Sequence, residues 1–174
     1  MTDDVTEVVL SFLFNADENC SVIEQACLLL SQHPARMTDQ AIRQVVLIAS
    51  SPRVRLNKPF LRALIHLLIN CTHVQSASVH ITAIVNELIP VLPAILNETD
   101  TSSGVKASVL CLLFRIALLQ PTVAIWLLNQ FECVTTAVES LFSDNENLVG
   151  EAAIFITYLL QTEGVLSNKV FQNY

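Results

Sequence analysis

The sequence predicts an all-α fold made of stacked helical repeats, and three observations carry that prediction. Apolar residues recur at helical spacing along nearly the whole chain, while alternating apolar and polar runs bounded by turn residues are hard to find. Helix-sized segments are joined by short connections. Two distant stretches, 5–32 and 134–161, present the same order of features. The chain has 174 residues, of which 52% are hydrophobic and 14% charged. Average domains carry roughly 25% charged residues, so this composition excludes disorder as the main state. A chain of this length buries about 70% of its unfolded surface, and packing alone can hold it without a metal or disulfide staple. One domain over residues 1–174 is expected, whether the chain stands alone or belongs to a longer protein.

Helices are predicted over 3–14, 21–32, 38–50, 57–71, 76–96, 103–119, 121–130, 131–142, 147–161 and 163–172. Ser21 and Glu24 form a Ser-x-x-Glu capping box, in which hydroxyl and carboxylate satisfy orphan backbone donors reciprocally. Thr38-Asp39 and Asn57-Lys58-Pro59 open the next two helices, the second with proline in the first turn, where its missing N–H costs nothing. Pro52, Pro121 and the cluster Asp144-Asn145-Glu146-Asn147 mark breaks. Pro90 and Pro93 should kink or split the long apolar stretch that contains them.

Internal similarity separates stacked repeats from a bundle. Residues 5–32 and 134–161 each contain an apolar helix ending in Leu-Phe, an acidic-Asn turn, then a helix with Ala early and Leu-Leu late. Weaker copies are 45–70 and 91–115, and the late pairs Leu29-Leu30, Leu67-Leu68, Leu112-Leu113 and Leu159-Leu160 are spaced 38, 45 and 47 residues apart. Armadillo and HEAT units run roughly 40–47 residues. The segment Glu24-Gln25-Ala26-Cys27-Leu28-Leu29-Leu30-Ser31-Gln32 resembles the third helix of an armadillo repeat, typically Glu-Gln-Ala-Cys-Trp-Ala-Leu-Ser-Asn. The resemblance implies a right-handed α-solenoid of about four armadillo/HEAT-like repeats. In that family the third helices line a concave groove, and a ladder of terminal Asn residues binds the main chain of an extended peptide. The corresponding positions here are Gln32, Asn70, Arg115 and Gln161, of which only Asn70 keeps the family residue. The family's groove Trp, four residues earlier, falls on Leu28, His66, Cys111 and Thr157. Residues four apart share a helix face, so His66 projects with Asn70 and Cys111 with Arg115. The competing reading for each position is a polar residue near a helix end that caps carbonyls or faces solvent.

Net charge is −7, yet the segment 36–62 is +5 and the remainder −12. An acidic chain disfavours direct nucleic-acid binding, whose affinity comes mostly from phosphate neutralisation. Within the basic segment, Arg53, Arg55, Lys58 and Arg62 are candidates to contact an acidic or phosphorylated ligand, with solvated surface charge as the plainer alternative. The start Met1-Thr2-Asp3-Asp4 lacks a basic region followed by an apolar run, so no secretory leader is expected. No stretch offers about 18 uninterrupted apolar residues, and no membrane contact is expected. Five cysteines without close pairing suit a reducing cytoplasm or nucleus, where Asn70-Cys71-Thr72 and Asn97-Glu98-Thr99 stay unglycosylated.

With three glycines, the chain has no phosphate-cradling loop. His66, Cys71, His73 and His80 have metal-ligand chemistry but lack paired anchor spacing, so neither metal nor cofactor is expected. Cys71 near His73 is a weak thiol candidate, and no paired carboxylates suggest acid–base catalysis. The expected function is a non-enzymatic scaffold or adaptor that binds a peptide or helical segment of a partner protein through Gln32, His66, Asn70, Arg115 and Gln161. An assembly subunit, homo- or hetero-oligomeric through its terminal helices near Leu166 and Phe171, is the alternative; a metal- or thiol-dependent enzyme is the third. Trp126, the single tryptophan, is expected in the core.

Overall fold

A computed structural model describes residues 20–32, 37–51, 57–73 and 87–172, with isolated positions 8, 9, 11, 13, 34 and 54. Among the described residues the protein is all-helical, as the periodicity predicts, with eight helices and no strand. They are α1 Cys20–Ser31, α2 Asp39–Ser50, α3 Lys58–Cys71, α4 Leu92–Asn97, α5 Ser103–Leu119, α6 Pro121–Leu128, α7 Phe131–Ser140 and α8 Glu146–Gln172. The chain divides into two compact units, Met1–Val91 and Leu92–Tyr174.

In the first unit α1 and α2 both pack on α3. Thr38 starts α2 by accepting, at Oγ1, the backbone N–H of Ala41 at 3.2 Å, which satisfies one of the helix's orphan donors. The helix stops where Ser51 turns to extended backbone, φ −66° and ψ 134°, because the residue before a proline is pushed out of the α region. Asn57 caps α3 in the same manner, Oδ1 accepting from the Phe60 N–H at 3.2 Å, with Pro59 in the first turn. Thr72 ends α3, its hydroxyl donating to the Ile69 carbonyl at 2.6 Å. Between these caps Phe60, Leu61, Leu64, Ile65, Leu67, Leu68, Ile69 and Cys71 are buried. Ser21, expected ahead of the helix as its cap, lies within α1, which is described from Cys20 onward.

The second unit runs from α4 to α8. Of the expected helix 76–96, residues 76–86 lie outside the described residues. The prolines split the remainder: Leu88–Val91 is a turn, with the Val91 N–H on the Leu88 carbonyl at 2.9 Å, and α4 starts at Leu92 with Pro93 in its first turn. The central element is α5, which packs on α4, α6 and α8 and buries Val105, Val109, Leu110, Leu112, Leu113 and Ile116. A single residue joins α5 to α6. Gln120 donates its N–H to the Ile116 carbonyl at 2.8 Å, closing α5, and precedes Pro121, the first residue of α6.

Two sets of contacts tie helices of this unit together. Thr136 on α7 donates its hydroxyl to Asn97 Oδ1 on α4 at 2.7 Å, while the Asn97 amide donates to Glu132 Oε2 at 3.4 Å. On α8, the Tyr158 ring meets Phe114 edge to face, centroids 5.5 Å apart, and its hydroxyl donates to the Ala117 carbonyl at 2.9 Å. Asn145 starts α8 by accepting the Leu148 N–H at 3.0 Å. From there the helix continues unbroken to Gln172, which corrects the prediction of separate helices at 147–161 and 163–172. An interior glycine such as Gly164 weakens a helix by about 1 kcal/mol relative to alanine, and does not by itself end it.

Phe155 on α8 is 0% exposed, so Phe155→Ala is expected to cost about 3–5 kcal/mol in urea denaturation. Phe142, 85% exposed in the turn before α8, should change stability by no more than about 0.5 kcal/mol when replaced by alanine. Asn57→Ala removes a cap and should cost about 1 kcal/mol by the same measurement.

Candidate functional site

The buried face of α3 determines what its other face can do. With Leu61, Leu64, Ile65 and Leu68 in the core, helical spacing carries Pro59, Arg62, Ala63, His66 and Asn70 to the opposite side. These five residues, with Cys27, Leu28 and Ser31 of α1, line a groove of about 400 Å³. Its apolar side includes Leu28, 55% exposed. Its polar side is a row at four-residue intervals: Arg62, His66 and Asn70. Among the described residues Arg62 is the one fixed charge on the lining, and no carboxylate is among them.

Burial holds the His66 imidazole below its usual pKa, and the neighbouring Arg62 charge pushes in the same direction. Near neutral pH the row therefore presents a guanidinium, a neutral imidazole and an amide. The guanidinium only donates, whereas the imidazole and the amide each donate and accept, which matches the alternating N–H and C=O groups of a peptide main chain.

The sequence-predicted site residues separate accordingly. His66 and Asn70 meet in the groove, and Arg62 of the basic segment joins them. Leu28, the position of the family's groove Trp, supplies apolar surface. Gln32 is exposed just past the end of α1, its N–H on the Leu28 carbonyl at 3.2 Å, and is not a lining residue. Lys58 is half-buried at the first position of α3; Arg53 and Arg55 lie outside the described residues. Arg115 and Gln161 belong to the second unit. There Arg115 is half-buried beside Cys111: burial pushes the Cys111 thiol pKa up, a hydrogen bond from Arg115 opposes this, and the Glu151 charge on α8 reinforces it. Gln161 is exposed on α8. Cys27, Ser31, Pro59 and Ala63 were not singled out from sequence. Their signal was the face they share with Leu28 on α1 and with His66 on α3.

Cys27, Cys71, Cys111 and Cys133 carry no disulfide. Burial pushes Cys71 and Cys133 up to about 12, so both stay protonated at neutral pH and make poor nucleophiles. His73 is exposed and His80 lies outside the described residues. Among the described residues no group of three or more His, Cys, Asp or Glu could hold a metal ion, and no helix is long and apolar enough to cross a membrane. Trp126 is half-buried on α6, and the side chains of Leu166 and Phe171 are not among those described.

No protein-family model, no curated protein and no solved structure matches the chain.

A lowered His66 pKa has a definite consequence for folding. At high pH both folded and unfolded states hold a neutral imidazole. As pH falls through 6.5 the unfolded state takes up the proton first, so the fold loses stability until the lower folded pKa is reached. An NMR titration of the His66 ring should give a pKa below 6.5, and Arg62→Gln should move it part of the way back, because burial is the larger cause. Thiol alkylation of the native protein should spare Cys71 and Cys133 and reach them on unfolding.

Proposed function

We propose that the protein is a non-enzymatic interaction scaffold, an armadillo/HEAT-like helical repeat that binds a peptide segment of a partner protein in the groove between α1 and α3. The observation that carries this reading is the groove itself. It combines exposed apolar surface at Leu28 with a row of main-chain-binding groups, Arg62, His66 and Asn70, along one helix. Peptide recognition needs that combination, since hydrogen bonds to the main chain hold the segment while apolar contacts select side chains. The repeated helix pattern and the armadillo-like segment 24–32 support the family part of the reading. A reducing cytoplasm or nucleus is the compartment that suits its reduced thiols.

A second reading, a subunit of a larger assembly, draws on a different surface. Phe131 is 80% exposed and Phe142 85%, one at each end of α7, with Val138 also exposed. Exposed aromatic side chains of this size are common anchors at protein interfaces. Light scattering separates the two: an oligomer that becomes a monomer in Phe131→Ser/Phe142→Ser would favour assembly.

The groove is tested by selecting a displayed peptide library on the whole protein and counter-screening on Leu28→Gln/Asn70→Ala, with circular dichroism to show that the variant folds. Selected peptides should bind the variant at least about tenfold more weakly, a loss of about 1.4 kcal/mol. Equal affinity for both proteins would remove the groove from the function.

A further inference from the structure

The charge of the groove says more about its ligand than its shape does. The chain as a whole is −7, yet the described residues that line the groove include a guanidinium, an imidazole, an amide and the Ser31 hydroxyl, and among these described residues there is no carboxylate. Arg62 and His66 are one helical turn apart on the same face, about 6 Å along the axis, and the Arg62 charge is felt at the imidazole. An anion seated between them would meet the Arg62 guanidinium, lie beside the imidazole and relieve the repulsion that protonating His66 otherwise incurs. Asn70, a further turn along, lies within reach of the main chain of the same ligand.

We propose that the groove selects peptides carrying an acidic side chain, a carboxylate seated between Arg62 and His66 while Asn70 holds the adjacent main chain. This rests on the reading of the groove as a peptide site. A carboxylate fits better than a phosphoryl group because the lining carries one fixed positive charge at neutral pH. A phosphorylated side chain brings about −1.5 to −2 charges and leaves the excess uncompensated. Among the described residues the other titratable group on the lining is the Cys27 thiol of α1, and α2, which also packs on α3, contributes no lining residue. Carboxylate binding favours the imidazolium form of His66, so the ligand and a proton bind cooperatively.

The test uses the whole chain and three matched seven-residue peptide libraries with capped termini, whose central residue is Glu, Gln or phosphoserine and whose other positions are randomised among uncharged residues. Wild type, Arg62→Gln, His66→Gln and Leu28→Gln/Asn70→Ala are compared, each shown by circular dichroism to fold. Wild type should retain the Glu library about tenfold above the Gln library, and Arg62→Gln should abolish the difference. Retained Glu peptides should bind more tightly to wild type on going from about pH 7.5 to about pH 5.5, with the change absent in His66→Gln. Glu and Gln libraries retained equally by wild type, and both lost by Leu28→Gln/Asn70→Ala, would overturn acidic selection and leave the peptide groove standing. Stronger retention of the phosphoserine library would overturn the carboxylate assignment. No library retained above the Leu28→Gln/Asn70→Ala level would overturn both.

Discussion

The burial of Leu61, Leu64, Ile65 and Leu68 along one side of α3 is the constraint on which the first unit depends. A helix cannot turn about its axis without drawing such residues out of the core, at about 1.5–3 kcal/mol for each large aliphatic side chain. The rotation of α3 is therefore set by apolar packing, and with it the direction of Arg62, His66 and Asn70. No polar interaction is needed to aim the row. The caps at Asn57 and Thr72 define where the helix starts and stops, so the row's position along the axis is fixed as well.

The second unit solves a similar problem with different parts. Its long helices α5 and α8 carry apolar residues around most of their circumference, so a simple polar face does not orient them. Between these two, specific contacts add direction: the Phe114 and Tyr158 rings edge to face and the Tyr158 hydroxyl on the Ala117 carbonyl. The part-buried Tyr158 hydrogen bond is modest, about 1 kcal/mol net. Because it is directional, it discriminates between packings of similar hydrophobic content.

The sequence was most informative where one local cause decides the outcome. Thr38, Asn57 and Asn145 act as helix starts because a side-chain oxygen reaches the N–H three residues on, and that spacing is visible in the letters. Pro52 and the pair Pro90 and Pro93 were legible for the same reason. The break expected near residue 162 was not found, since α8 runs on through Gly164 to Gln172. Half of the site was legible too: His66 and Asn70 follow from four-residue spacing, Arg62 from the basic segment and Leu28 from the armadillo-like segment. The rest of the α1 side was not, because Cys27 and Ser31 become lining residues only once α1 has chosen its partner helix.

The one-residue junction at Gln120 has a mechanical consequence. Gln120 closes α5 through the Ile116 carbonyl while Pro121, with φ fixed near −65°, begins α6. Such a joint has almost no slack, so a twist or tilt applied to α5 passes directly into α6. The segment 141–145 between α7 and α8 is longer and is held mainly by short turn contacts. A change in the tilt of α5 thus reaches α6 with no intervening loop to absorb it, whereas five residues separate α7 from α8.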